Sequence, residues 1–382
     1  MKIVADSKIP YIKGLLETVA QEVIYVPGAE ITSDVVRDAN VLLTRTRTRC
    51  DRALLEGSSV EFIGTATIGT DHIDLDYCRE KGIDVANAPG CNAPAVAQWV
   101  HSTIVRWLDA NKVSAPITLG VVGVGHVGSI VARWAQELGY KVLLNDPPLE
   151  SYELSVVSSE MSVESSEMSV VSSEMSAERS FCAANSAFCI LHSALKNSPH
   201  SPEKSLPSQL SPLNCLQREC DIITFHTPLT SDGDYPTWHL CDEEFLQGLK
   251  KCRLIINAAR GAVCDNKALL RWHGDLALDC WENEPEISRE LLDKAFVATP
   301  HIAGYSRQGK MRGTAMIIEA LNRRYGWQLP LPLVDKPLAG AVDVTPEMIT
   351  SSYNPLDDTA ALKAAPHRFE ALRNSYPLRE EV

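Results

Sequence analysis

At 382 residues the chain is long enough for two or three domains, and 45% apolar content supplies more than one core. A net charge of −13 argues against a nucleic-acid binder, and no uncharged apolar run reaches the ~20 residues of a membrane span. Eleven cysteines, scattered from Cys50 to Cys280 without a C-x-x-C pair, fit reduced cytoplasmic thiols better than disulfides or a zinc site. No metal is therefore expected. Asp6 stands where a signal peptide would have its apolar stretch.

The first hundred residues alternate apolar runs at 3–6 (IVAD), 23–26 (VIYV), 41–44 (VLLT), 61–64 (EFIG) and 83–86 (IDVA) with helix-like segments. That alternation predicts a parallel sheet covered on both faces. A long helix follows, with Asn92 as its cap, Pro94 in its first turn and Val96, Val100, Ile104 and Trp107 at helical spacing. A second βα series begins at 118–122 (TLGVV). It continues through a helix with Val127, Ile130, Val131, Trp134 and Leu138 on one face, and then 141–146, 221–225, 253–257, 276–279 and 296–299.

Between about 150 and 210 the pattern breaks. Residues 155–175 are three near-identical heptads, SVVSSEM, SVESSEM and SVVSSEM. A coiled-coil reading places Glu164 in the seam, and serine is a mediocre helix former. Residues 151–215 hold 19 serines and a net charge of −4, so a disordered surface insertion is the expectation. A short helix and a phosphorylatable docking segment are the alternatives. The tail from 331 starts Pro-rich and ends in a helical stretch around ALKAAPHRFEALRNSY.

Gly123, Gly125 and Gly128 form a G-x-G-x-x-G directly after an apolar strand and at the start of an amphipathic helix. Gly123 permits the tight turn, Gly125 lets backbone amides approach a pyrophosphate, and Gly128 allows close helix–strand packing. Eighteen residues past Gly128 the next strand ends in Asp146, an acid placed to bind the ribose hydroxyls of NAD and to repel the extra phosphate of NADP. The bland alternative for Asp146 is a turn residue before Pro147-Pro148. Three more charged residues stand at strand-to-loop junctions: Arg260, Glu284 and His301. Each has an ordinary loop reading alone. Together they supply what oxidation of an alcohol needs: a histidine base whose unperturbed pKa is about 6.5, a carboxylate to fix its tautomer, and an arginine to clamp a substrate carboxylate.

In this order, GVGHVG, INAARGAV, LDCWENEP and TPHIAGY resemble the D-isomer-specific 2-hydroxyacid dehydrogenase family. The resemblance covers residues 1 to about 148 and 215 to 330, and more weakly the rest. It implies Arg260, Glu284 and His301 as catalytic residues, with NAD contacts from Asp146, Thr227, Asp279 and Gly304 besides the glycine loop. Substrate contacts would come from Thr46, Thr67 and Tyr305. Segments such as GTATIGTDHID (64–74), NAPGCNA (87–93) and LLNDPP (143–148) are similar to those of members acting on 4-phosphoerythronate. They imply oxidation of that phosphorylated 2-hydroxy acid between two domains, a step of pyridoxal 5'-phosphate biosynthesis. Arg45 and Arg47, beside Thr46, suit a phosphate.

The fold implied is α/β, with two doubly wound parallel-sheet domains and a small C-terminal α+β dimerisation module. A flavodoxin-like substrate domain would span 1–95 and 302–330. A Rossmann-type NAD domain would span 96–301, interrupted by the insertion at about 151–210. The module would occupy 331–382, in shortened form, giving a cytoplasmic homodimer with no nucleic-acid or membrane partner. The link between ALLRW (268–272) and LALD (276–279) is short, which predicts a truncated helix. Two rival readings remain: a sister dehydrogenase for phosphoglycerate, lactate or glyoxylate, and an NAD-sensing scaffold without catalysis.

Overall fold

The computed structural model describes residues 1–114, 116–149, 210–332 and 344–382. The three heptads and the expected disorder around them lie outside the described residues. The chain divides into two units.

Unit 1 comprises Met1–Ala93 and Tyr305–Leu338 with Glu381. Its strands are β1 (Lys2–Asp6), β2 (Glu22–Val26), β3 (Val41–Thr44), β4 (Phe62–Thr65) and β5 (Asp84–Ala86). They pair in parallel in the order β2-β1-β3-β4-β5, the flavodoxin-like arrangement. The apolar runs are continuous because both sheet faces are buried. Val4, Leu42 and Ile63 join one core, and their neighbours Ile3, Ala5, Val41, Leu43 and Phe62 the other. Helices α1 (Ser33–Val36), α2 (Arg52–Leu55) and α3 (Leu75–Lys81) connect the strands. The long α10 (Arg307–Tyr325) returns to this unit, where its Ile317, Ile318 and Leu321 enter the second core.

Unit 2 comprises Pro94–Gly304 and Ala339–Glu380 with Val382. Strands β6 (Thr118–Val122), β7 (Lys141–Asn145), β8 (Ile222–Phe225), β9 (Leu254–Asn257), β10 (Asp275–Leu278) and β11 (Val297–Ala298) are all parallel, in the order β11-β10-β9-β8-β6-β7. The chain places β7 on one side of β6 and β8 on the other, so the sheet has its switch point at β6, where open α/β sheets bind ligands. Helices α4 (Ala93–Ala110), α5 (His126–Glu137), α6 (Leu213–Glu219), α7 (Glu243–Gly248), α8 (Asn266–Arg271) and α9 (Arg289–Lys294) complete the βα series. The eleven strands among the described residues fall within one residue of the predicted runs. Along α4 the expected Val96, Val100, Ile104 and Trp107 are buried, and the Trp107 Nε1–H donates to Asp275 at 2.7 Å.

The predicted truncation is present, since α8 spans six residues and reaches β10 after three more. Its orphan C-terminal carbonyls are satisfied by Lys294, whose ammonium donates to Leu269 at 2.8 Å, Leu270 at 3.2 Å and Trp272. The tail differs from expectation. Residues 344–380 group with unit 2 and form α11 (Pro346–Ser352), α12 (Pro355–Ala364) and α13 (Phe369–Asn374), with no strand there among the described residues. Leu362 and Phe369 lie fully buried in the core of unit 2. The Thr359 hydroxyl accepts the Ala298 amide at 3.0 Å, so α12 covers the exposed edge of β11. Among the described residues no helix is long and apolar enough to cross a membrane.

Candidate active site

Every unit 2 residue singled out in the sequence lies beyond the carboxyl end of a strand or in the glycine loop. β6 leads into the glycine loop, β7 into Asp146, β8 into Thr227, β9 into Arg260, β10 into Asp279 and Glu284, and β11 into His301 and Gly304.

Gly123 has φ +87°, and a Cβ there would lie 2.8 Å from the His226 carbonyl carbon. At Gly128 a Cβ would meet the Gly123 carbonyl oxygen at 1.9 Å. The chain itself therefore requires these two glycines. Gly125 is different: a Cβ would meet nothing within 4 Å. Its lack of a side chain leaves open space at the N-terminus of the twelve-residue α5, where backbone amides favour an anion. Asp146 accepts the Val124 amide at 2.7 Å through Oδ2 and the Leu149 amide at 3.3 Å through Oδ1, fixing the acid beside the loop. The Thr227 hydroxyl is buried without a partner among the described residues, as a group awaiting a ligand would be. These features fit a dinucleotide.

His301 donates from Nδ1 to Glu284 Oε2 at 2.9 Å when it carries the proton there, an arrangement that leaves Nε2 available for proton transfer. The other carboxylate oxygen of Glu284 accepts the Trp281 amide at 2.8 Å. Burial raises the Glu284 carboxyl, but the bond and charge of His301, the Trp281 amide and the Arg373 charge outweigh it and hold the group below its ordinary value. His301 sits at φ +56°, a left-handed conformation that a side-chain-bearing residue seldom adopts. Asp279 supports it. Its Oδ1 accepts from the Thr299 hydroxyl at 2.6 Å and the Ile302 amide at 2.7 Å, its Oδ2 accepts the Ala303 amide at 3.0 Å, and its carbonyl accepts the His301 amide at 2.9 Å. Burial pushes the Asp279 carboxyl up. Most of its accepting capacity serves the turn that carries His301, a use the sequence did not suggest.

Arg260 donates to the Ala259 carbonyl at 3.0 Å. The next residue explains its setting: a Cβ at Gly261 would lie 2.0 Å from the Trp281 carbonyl oxygen, so the β9 loop packs tightly on the β10 loop. A second pair, His239 to Glu282 at 2.7 Å, ties the loop after β8 to the β10 loop, and Glu282 also accepts the Asn266 amide at 2.9 Å. Sequence reading missed this pair, though Glu282 stands two residues before Glu284.

In unit 1, Thr44 and Thr65 are register partners, so Thr46 and Thr67 each stand two residues past adjacent strand ends. Thr46 is exposed. The Thr67 hydroxyl meets Thr65 at 2.7 Å and donates to the Gly69 carbonyl at 3.2 Å, and Thr65 meets His72 at 3.1 Å. Arg45 donates to the Lys8 carbonyl at 3.3 Å. The Lys310 ammonium lies 4.2 Å from the ring centre of Tyr305.

A sequence profile of the D-isomer specific 2-hydroxyacid dehydrogenase catalytic domain matches residues 3–323. The chain is 41% identical over 391 residues to erythronate-4-phosphate dehydrogenase of Bacteroides thetaiotaomicron, covering 100% of this chain and 97% of that protein. It is 36% identical over 400 residues to the protein of the same name from Porphyromonas gingivalis, covering 100% and 94%. In fold it resembles D-lactate dehydrogenase from Aquifex aeolicus complexed with NAD and lactic acid (TM-score 0.57, 22% identity, 85% of this chain and 96% of that one). It also resembles NAD-bound 3-phosphoglycerate dehydrogenase from Entamoeba histolytica (TM-score 0.58, 21% identity, 88% and 99%). With a family profile spanning most of its length and full-length relatives above 30% identity, the chain belongs to the D-isomer-specific 2-hydroxyacid dehydrogenase family.

Proposed function

We propose that this protein oxidises the C2 hydroxyl of 4-phospho-D-erythronate to (R)-3-hydroxy-2-oxo-4-phosphobutanoate with NAD, a step of pyridoxal 5'-phosphate biosynthesis. The observation that carries this reading is the 2.9 Å His301–Glu284 pair in the same unit as the Gly123–Gly128 loop, in a chain similar over its full length to erythronate-4-phosphate dehydrogenases. When bound, NAD supplies the hydride acceptor. Gly123, Gly125 and Gly128 with the start of α5 hold its pyrophosphate, Asp146 its ribose hydroxyls, and Thr227, Asp279 and Gly304 its remaining polar groups.

His301 takes the C2 hydroxyl proton on Nε2 while Nδ1–H stays on Glu284, whose negative charge supports the imidazolium that forms. Arg260 holds the substrate carboxylate and favours charge developing on the C2 oxygen. Thr46, Thr67 and Tyr305 bind the substrate, with Arg45 and Arg47 favouring its phosphate. The protein works in the cytoplasm as a homodimer.

NADH formation by the purified protein is measured with 4-phosphoerythronate beside 3-phosphoglycerate and D-lactate, with His301→Ala as control. Turnover of the first substrate alone, lost in the variant, is expected. Turnover of another hydroxy acid would move the protein to a sister activity, and NADH binding without turnover would support the scaffold reading.

A further inference from the structure

The last helix and the segment that follows it carry two arginines onto the loops that hold the acid–base pair. Arg379 donates to the Ile302 carbonyl at 3.0 Å and to the Ala303 carbonyl, the two residues directly after His301. Asp279 takes the amides of these same residues. The peptide groups after the left-handed His301 are therefore held from both sides, by a carboxylate on their N–H groups and a guanidinium on their carbonyls. Arg379 is itself fixed by the Ala95 carbonyl at 3.0 Å, by Gln98 Oε1 at 3.1 Å and by the Tyr353 ring at 4.4 Å. A guanidinium offers five donors in a planar fork, which suits two adjacent carbonyls as an ammonium does not.

Arg373, on α13, lies 3.8 Å from Glu284 Oε2, the oxygen that receives His301 Nδ1. We propose that the C-terminal segment is part of the catalytic apparatus, with Arg379 positioning the His301 loop and Arg373 setting the charge at the Glu284 carboxylate. This rests on the acid–base role proposed for His301. Among the described residues, Asp279 and Cys280, just past β10, interact by charge with His301 and Glu284 respectively, Arg260 from the β9 loop acts on the same Cys280, and Arg373 on α13 acts on Glu284 and also pairs with Glu370. Arg373 adds positive charge at the Glu284 carboxylate and helps hold it below its ordinary value. The proposed proton transfer needs that carboxylate ionised, to fix the ring and support the imidazolium that forms. Without Arg373 the carboxyl loses part of this support, and the acid limb of activity moves up.

The test uses full-length Arg379→Gln, Arg379→Lys, Arg373→Gln and Arg373→Lys, assayed on whichever of the three hydroxy acids the parent protein oxidises. Lys363→Met is the stability control, because it removes a different tail tie, to the carbonyls of Asp293 and Ala295. Arg379→Gln is expected to lower kcat at least about tenfold with the KM for NAD within about twofold, and Arg379→Lys to recover part of the loss. Lys363→Met should lower the melting temperature while keeping parental kcat. Arg373→Gln should shift the acid limb of kcat/KM upward by roughly half a pH unit, and Arg373→Lys should leave it in place. A kcat loss in Arg379→Gln no greater than in Lys363→Met, or superposed pH profiles for the Arg373 variants, overturns the proposal.

Crystal structures of parent and Arg379→Gln decide the point even if no substrate turns over, which would sink the proposed function separately. The proposal expects the Nδ1–Glu284 separation in the variant to open beyond about 3.5 Å. An unmoved His301 overturns it.

Discussion

At the scale of single residues, the pair His301–Glu284 carries the sharpest expectations. Glu284 accepts from both the imidazole and the Trp281 amide, so it is itself held where it fixes the ring. Glu284→Gln keeps the size but removes the charge that supports the imidazolium. We expect kcat to fall roughly 10²- to 10⁴-fold with NADH affinity unchanged, checked by steady-state kinetics and NADH fluorescence. A loss confined to KM would move Glu284 from proton transfer to binding. The role in cofactor choice proposed for Asp146 is equally local. Asp146→Ser removes the charge that repels a 2'-phosphate, so the NAD-over-NADP ratio of kcat/KM should drop at least about tenfold. An unchanged ratio would make Asp146 a turn residue only, held by the Val124 and Leu149 amides.

At the scale of elements, the three glycines of one motif separate into two kinds. Gly128→Ala drives a methyl group into the Gly123 carbonyl oxygen, 1.9 Å from the Cβ position, and backbone must move. Gly125→Ala meets no chain atom within 4 Å and keeps an ordinary φ of −73°. We therefore expect Gly128→Ala to lower both the melting temperature and NADH affinity. Gly125→Ala should leave the melting temperature within a degree or two and weaken NADH at least about tenfold, because its methyl group occupies the approach of the pyrophosphate. Calorimetry beside NADH titration checks both, and equal affinity in Gly125→Ala and parent would show that no phosphate approaches there. The motif was legible in sequence because each role is local, within a strand, a turn and a helix start. The short α8 was legible too, from residue counting between ALLRW and LALD. Its cap was not, since Lys294 reaches those carbonyls from α9, more than twenty residues away.

At the scale of the whole molecule, stability should carry the mark of a buried neutral histidine. His101, on α4, is fully buried, makes a 3.0 Å bond to the Val131 carbonyl through Nε2, and leaves Nδ1 without a partner among the described residues. Burial pushes its pKa down to about 4. The unfolded chain takes up that proton near pH 6.5 and the native one does not. The contribution is therefore full above about pH 6.5 and is lost as pH falls towards about 4. At pH 5 the loss amounts to about 2 kcal/mol. Urea unfolding at pH 7.5 and 5.0, for the parent and His101→Met, measures it. The variant should lose less stability between the two pH values than the parent, and equal slopes would refute the assignment.

Sequence by itself determined the strands, the parallel α/β class, the glycine loop and the two residues, Glu284 and His301, that the structure brings to hydrogen-bond distance. Each of these is written in a short window, as an apolar run between turns or a charged residue at a strand end, and strand ends of parallel sheets converge by construction. Only the tertiary structure decided that the tail belongs to the core of unit 2, that Asp279 serves the turn beneath His301, and that Arg373 and Arg379 reach Glu284 and the 302–303 carbonyls. Those contacts join residues some twenty to ninety positions apart. Nothing in the periodicity of the chain encodes them, because they depend on which side of the sheet each loop leaves and where the last helix comes to rest.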